Sequence, residues 1–170
     1  MKKNFAVFGG IVFFLAVMTA NAENSVILEQ KTPPLKITQY TAKYQPEARG
    51  TYISHPDQIE HTVKYQNVSG KVVVALQIGL ASFDSFNNFM DKLSGWSVET
   101  IALNAEAKGT WAQSPYGAFK FQKYGTGVAF VNAVRFDDGS IWQADPDEIL
   151  TGLQKFEKGL KKEDIEEKKK

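Results

Sequence analysis

Hydrophobic and polar residues alternate along residues 59–66, where Ile, His, Val and Tyr occupy one set of positions and polar side chains the other. A two-residue period predicts a half-buried β-strand. Residues 72–83 form an almost uninterrupted apolar run, which favours a central strand covered on both faces. Residues 67–71 (NVSGK) between them have the composition of a turn. We therefore predict that the two strands form a hairpin.

A second hairpin is predicted towards the end of the chain. Residues 128–136 form an apolar run, and residues 140–144 return with Ile141 and Trp142. Asp137-Asp138-Gly139 separates the two runs, and Asp-Gly between β-rich segments is a strong hairpin signal.

A helix is predicted directly after this hairpin. Asp145 can cap its start, Pro146 suits its first position, and Glu148 stands where a capping-box acid would reach back. The apolar residues that follow have helical spacing and predict one buried face: Ile149, Leu150, Leu153, Phe156 and Leu160.

The remaining segments give weaker patterns. Residues 23–50 are polar and contain three prolines, so we expect a flexible or extended lead-in with at most one short strand near residues 35–40. Residues 84–96 carry Phe and Met at spacings of three and four, which indicates a short helix or a structured loop. Val98, Ile101 and Leu103 predict a further strand.

These elements predict a mainly β fold, namely an antiparallel immunoglobulin-like β-sandwich with a carboxy-terminal amphipathic helix. The β-sandwich domain spans residues 51–145. Residues 146–170 hold the helix and a Lys/Glu-rich tail that ends in three lysines. This tail is either a solvated helix end or an electrostatic docking segment.

The first 22 residues have the layout of a secretory signal peptide. Two lysines precede an apolar stretch over residues 5–17, and Ala20-Asn21-Ala22 fits a small-x-small cleavage site. The apolar stretch is shorter than the roughly 20 residues that a membrane-spanning helix needs. We therefore expect cleavage after Ala22, a periplasmic or secreted protein, and no transmembrane anchor after cleavage.

Composition narrows the chemistry further. The chain has no cysteine, which excludes disulfides, thiolate metal sites and cysteine nucleophiles. The formal net charge is +1, and subtracting the two signal lysines leaves −1. This small net charge produces no strong electrostatic attraction for nucleic acid, so we expect no nucleic acid partner. No phosphate-binding glycine motif or cofactor motif is present, so we expect no cofactor.

Candidate catalytic residues are few. His55 and His61 do not have zinc-ligand spacing, and His61 shares a predicted strand face with Val63 and Tyr65, which favours a structural role. A Ser-His-acid site remains open because its members would meet only in space. Two acid pairs lie near aromatic residues, Asp84 with Asp91 and Asp137 with Asp138, but both stand where turns favour aspartate.

Aromatic residues are concentrated between residues 86 and 124. Most of them suit a cysteine-free core, whereas others could form a loop surface that binds a protein or carbohydrate partner. The speculative binding residues are Phe86, Phe89, Trp96, Trp111 and Tyr116, with the two tryptophans and Tyr116 expected to be the most exposed.

Two stretches carry a resemblance to a known class of domain. Residues 65–75 (YQNVSGKVVVA) and 133–142 (AVRFDDGSIW) resemble the hairpins of small exported bacterial immunoglobulin-like domains. Together they cover 21 of the 170 residues. The resemblance implies a binding, scaffold or accessory role and supplies no catalytic residue.

Three functional hypotheses follow. The leading one is an exported, non-enzymatic binding or accessory module of the bacterial cell envelope, with its partner contacted through aromatic loops. The second is a small secreted hydrolase that uses His61 or an acid pair. The third is an envelope structural protein that docks through its basic tail.

Overall fold

The computed structural model describes residues 24–50, 54–114 and 121–166, which form mostly β-strands. The strands are β1 (Asn24–Ile27), β2 (Leu35–Gln45), β3 (Ala48–Arg49), β4 (Ser54–His55), β5 (Gln58–Asn67), β6 (Val73–Asp84), β7 (Phe89–Ser97), β8 (Glu106–Gln113), β9 (Tyr124–Phe136) and β10 (Ile141–Gln143). Two short helices follow, α1 (Pro146–Leu153) and α2 (Lys162–Ile165). The predicted signal peptide and Tyr116 lie outside the described residues.

The long strands belong to two sheets. A five-stranded sheet has the order β1-β9-β6-β7, with β10 also paired to β9, and a three-stranded sheet has the order β2-β5-β8. The small β3 and β4 pair with each other. β1 runs parallel to β9, with Val26 opposite Val128, whereas the other strand pairs are antiparallel. The mainly β prediction is confirmed, but the larger sheet is mixed rather than antiparallel.

The larger core lies between the two sheets. Ile59 and Val63 of β5 face Ile78 and Leu80 of β6, and all four are fully buried. Every second residue of β5 from Ile59 to Asn67 is buried, so the alternation predicted for this strand is confirmed. Burial of this apolar surface is the main force that holds the sheets together.

A second core covers the outer face of the five-stranded sheet. Phe83 and Phe130 project from the sheet and pack with Ile149 and Leu153 of α1. The ring of Phe156, after α1, lies 5.1 Å from the ring of Phe83. The carboxy-terminal segment is therefore a third layer, and its edges define the clefts described below.

The predicted helix start is confirmed. The Asp145 side chain accepts a hydrogen bond from Asp147 N at 2.9 Å, and Pro146 occupies the first turn. Glu148 does not reach back to complete a capping box, because its Oε1 accepts from Lys31 N at 2.9 Å. The helix ends after eight residues, although the apolar positions beyond it continue to pack on the sheet.

The hairpin of β9 and β10 is confirmed. Ile141 lies opposite Arg135, and Gly139 at the turn adopts a φ of +83°, which glycine tolerates better than other residues.

The hairpin predicted from β5 and β6 is wrong, because these strands belong to different sheets. Residues 67–71 cross between the sheets and are held by Asn67, whose Nδ2 donates to the carbonyl oxygens of Lys71 and Ile101 at 2.9 and 3.0 Å. The two strands face each other across one core and each buries apolar side chains there. Their hydrophobic patterns are therefore the same as those expected for two strands paired in one sheet.

The helix or loop predicted over residues 84–96 is also wrong. Asp84 accepts from the backbone N–H groups of Phe86 and Asn88 in a tight turn, and β7 follows. Phe86 is exposed at the turn, Phe89 packs on the second core, and Met90 packs on the first. The spacing of these residues therefore does not reflect one helical face, because one is exposed and the other two pack in different cores.

The amino-terminal segment contains more structure than expected. Residues 23–50 include β1 and the 11-residue β2, which pairs along its length with β5. The short strand predicted near residues 35–40 is the start of β2, and a β-bulge after Ile37 breaks the alternation of buried residues, so the continuation to Gln45 was not predicted. Between β1 and β2, the amide of Gln30 hydrogen-bonds to both backbone groups of Val131, at 2.9 and 2.8 Å.

The strand predicted from Val98 to Leu103 is wrong. Only Ile101 of this stretch pairs, as an isolated bridge to Val73. The strand in this region is β8. Its half-buried positions include Ala107 and Gly109, and because these residues are small the strand has only a weak hydrophobic pattern.

Candidate functional site

The predicted aromatic site residues occupy different environments. Phe86 is 83% exposed at the β6–β7 turn, and Trp96 is 65% exposed on β7. Phe89 is half-buried, with its ring 5.7 Å from that of Phe83. Trp111 is half-buried on β8, and Tyr116 lies outside the described residues. The expectation that Phe89, Trp96 and Trp111 lie on loops is wrong, because all three are on strands.

Trp111 supports the strand that carries Trp96. Its indole Nε1 donates to the carbonyl oxygen of Trp96 at 3.1 Å. Its ring covers Gly95 and Gly109, where an added Cβ atom would come within 2.6 and 2.1 Å of ring atoms. Trp111 therefore fixes the free edge of β7, and its ring is not the exposed platform that the sequence suggested.

The side chain of Trp96 lines a groove of about 350 Å³ on the outer face of the five-stranded sheet. The sheet forms one wall, and the carboxy-terminal segment forms the other. The lining residues are Gln77, Lys92, Trp96, Phe130, Asn132, Ala133, Gln143, Ala144, Pro146, Ile149, Ile165 and Glu166. Clefts of this size, with a few polar groups among apolar ones, are typical small-ligand sites.

An amide pair forms the polar part of the groove. Gln77 lies opposite Trp96 in the strand register, and Asn132 Nδ2 donates to Gln77 Oε1 at 2.7 Å. This bond fixes the orientation of the Asn132 amide, which retains its Oδ1 acceptor for another partner. Gln143 adds a third amide.

These amide residues were not among the predicted site residues, although the sequence contains a signal for them. Gln77 interrupts the apolar run of residues 73–81 in β6, Asn132 interrupts the apolar run of residues 127–134 in β9, and these strands are neighbours. A polar residue within a predicted central strand indicates a local need for hydrogen bonding.

A second cleft of about 390 Å³ lies on the other side of α2. It shares Lys92, Ile165 and Glu166 with the groove and is also lined by acids, among them Asp91 and Glu163. The short α2 thus separates two adjoining clefts on the same sheet face.

Side chains occupy several backbone groups of β7. Phe89 N donates to Glu157 Oε2, and Lys92 N donates to the side chain of the preceding Asp91 at 2.8 Å. The Trp96 carbonyl oxygen accepts from Trp111, as described above. Because these groups are engaged, β7 is protected against the addition of another strand.

A buried polar network lies between the two sheets. Tyr40 OH is 2.8 Å from His61 Nδ1, and His61 Nε2 is 3.0 Å from Gln113 Oε1, which also accepts from Ser82 Oγ at 2.7 Å. Burial lowers the pKa of His61 to about 4, partly opposed by the hydrogen bond to Gln113. Burial, and then the Tyr124 phenol, raise the pKa of Tyr40 well above its usual value.

The structural role predicted for His61 is confirmed, because its side chain is fully buried within this network. Asp84 and Asp138 serve turns, whereas Asp91 lies within β7, so the turn position predicted for Asp91 is wrong. Asp84 caps the β6–β7 turn, and Asp138 accepts from Ser140 N at 2.9 Å and from Lys71 Nζ at 2.7 Å. The hydrogen bond from Lys71 holds the pKa of Asp138 well below its usual range.

The described ranges contain neither a metal-binding cluster nor a helix that could span a membrane. Within residues 24–50, 54–114 and 121–166, no three His, Asp or Glu side chains are arranged to hold a metal ion. The helices of the same ranges are too short to cross a bilayer.

Comparisons with known proteins give a likeness in fold only. No protein-family model and no curated protein matches the chain. The X-ray structure of a hypothetical protein from Peptoclostridium difficile 630 aligns with a TM-score of 0.52 at 11% identity, covering 75% of this chain and 93% of that one. A Northeast Structural Genomics Consortium target aligns with a TM-score of 0.42 at 11% identity, covering 65% and 80%.

Proposed function

We propose that this chain is an exported, non-enzymatic binding module of the bacterial cell envelope, and that its ligand site is the Trp96 groove. The exposed indole of Trp96 beside the Gln77–Asn132 amide pair carries the proposal. A large indole that is 65% exposed does not contribute its full burial energy to folding, whereas binding can recover that energy. Export rests on the signal-like residues 1–22.

The other hypotheses receive less support. A hydrolase based on His61 would need an accessible imidazole, whereas this one is buried between two sheets. Docking through the basic tail involves residues 167–170, which lie outside the described residues. The immunoglobulin-like character of the fold is part of our proposal and rests on residues 133–142, which form a hairpin, because residues 65–75 cross between the two sheets.

The groove is tested by purifying the protein gently from its host and recording native mass spectra. We expect an additional bound mass in the wild-type protein and its loss in Trp96→Ala. Phe86→Ala is the matched control, because Phe86 is also aromatic and exposed but lies at a turn outside the groove. A bound mass that survives in Trp96→Ala, or is absent throughout, would contradict the proposal.

A further inference from the structure

We propose that the ligand of the Trp96 groove is a neutral saccharide, with one face of a sugar ring stacked on the indole. This inference rests on the proposed function of the groove and names its ligand class. Three properties of the site support it: the form of its aromatic surface, its charge balance, and the closed edge of β7.

The aromatic surface suits a flat ring. The exposed indole of Trp96 stands beside three amide side chains, Gln77, Asn132 and Gln143. Amides offer donors and acceptors together, and each sugar hydroxyl is also both donor and acceptor. The C–H face of a sugar ring can cover the indole while its hydroxyl groups reach the amides of Asn132 and Gln143, and the buried Gln77 holds Asn132 in place.

The charge balance favours an uncharged ligand. Among the lining residues within the described ranges, Lys92 is the one cation and Glu166 the one anion. Binding of a phosphate or carboxylate ligand would remove water from a negative charge. The free-energy cost of this desolvation would not be offset, because the groove has no excess of cations. A neutral polar ligand avoids this cost.

The backbone of β7 argues against an extended peptide. Strand addition needs free backbone N–H and C=O groups along the sheet edge. Three such groups, from Phe89, Lys92 and Trp96, already have side-chain partners. A ligand must therefore be recognised from the sheet face, where Trp96 projects.

The experiment combines a glycan array with identification of the bound mass. Wild-type protein, Trp96→Ala, Trp96→Phe and Phe86→Ala are applied to an array of neutral and charged glycans. Titration calorimetry follows with each glycan that binds. We expect neutral glycans to bind to the wild-type protein. Trp96→Ala should weaken binding by at least about tenfold, because it removes an aromatic anchor. Trp96→Phe should retain part of the affinity. Phe86→Ala should bind as the wild type does. Circular dichroism verifies that each variant is folded.

Fragmentation of the mass released from the wild-type protein separates the two proposals. A Trp96-dependent carbohydrate supports both. A Trp96-dependent ligand of another class, such as a peptide or a phosphorylated compound, overturns the saccharide and leaves the groove function standing. No Trp96-dependent mass and no glycan binding overturn both.

Discussion

His61 illustrates how a single side chain is constrained by its surroundings. Because Gln113 Oε1 accepts from Ser82 Oγ and faces His61 Nε2, this arrangement places the imidazole proton on Nε2. His61 Nδ1 then accepts from Tyr40 OH. The neutral imidazole satisfies both contacts, whereas a protonated one would donate from Nδ1 to the Tyr40 oxygen and would place a charge in the buried network. No carboxylate takes part in these contacts.

We expect the free energy of unfolding to fall as the pH is lowered from about 6.5 to about 4. The unfolded His61 has a pKa near 6.5 and the folded one near 4, so in this window the unfolded state binds more protons. The loss attributable to His61 is at most about 3 kcal/mol, and it is complete below the folded pKa. Urea unfolding at a series of pH values measures it.

Two histidine variants isolate this effect, since the chain has only two histidines. His61→Gln should be less stable at pH 7 but should lose less stability between pH 6.5 and 4. His55→Gln should keep the wild-type dependence, because His55 lies outside the network. Equal pH dependence in wild type and His61→Gln would show that His61 is not the titrating group.

At the scale of elements, an aromatic ring on β8 supports β7, which is paired on its other side with β6. The ring of Trp111 fills the space above Gly95 and Gly109 and holds the Trp96 carbonyl oxygen. Both glycines are needed because the ring approaches the backbone of two strands at once.

Gly95→Ala should lower the free energy of unfolding by about 1–3 kcal/mol, since the new methyl group would overlap the Trp111 ring. Gly70→Ala is the control, because nothing lies within 4 Å of its added Cβ atom, and its effect should be small. Thermal and urea unfolding measure both. A Gly95→Ala protein as stable as the wild type would show that the ring relocates freely.

Elements were predictable where the signal is local. The alternation in β5, the Asp-Gly turn of the β9–β10 hairpin and the Asp145-Pro146 helix start depend on neighbouring residues, and all three are present. Pairing between distant segments was not predictable. Residues 67–71 have turn composition whether they join partners in one sheet or cross between two.

The site was predictable only in part, for the same reason. Trp96 was predicted as a binding residue because it is aromatic. Its exposure, however, depends on its place in β7, where Gly95 faces the core and Trp96 faces outward. Gln77 and Asn132 are 55 positions apart and meet only because β6 pairs with β9. The residue type of Trp96 suggested that it could bind a ligand, whereas strand pairing determined where the groove forms.

On the scale of the whole molecule, the carboxy-terminal segment is integral to the fold. α1 and the residues after it cover an apolar sheet face that contains Phe83, Val128 and Phe130. Without this layer the apolar face would be open to water, and an exposed apolar face of this kind promotes association. The groove beside Trp96 would also lose one wall.

Leu153→Ala should lower the free energy of unfolding by about 2–5 kcal/mol, because Leu153 is fully buried and truncation leaves a cavity. Ile141→Ala, at an exposed position of β10, should change it by less than about 0.5 kcal/mol. Chemical denaturation followed by far-ultraviolet circular dichroism tests both. A negligible effect of Leu153→Ala would mean that the third layer is not coupled to the sheets.

The pairing of β1 with β9 has a kinetic consequence. The amide of Gln30 and the backbone of Val131 meet across 101 positions of sequence, and the parallel strands join segments equally far apart. Contacts between distant residues require closure of a long loop, which slows folding. A chain emerging in order from its amino terminus must therefore hold its first strand unpaired until β9 has formed. After β9 has formed and before β1 pairs with it, the edge of β9 is open to other chains, so the yield of refolding should fall as protein concentration rises.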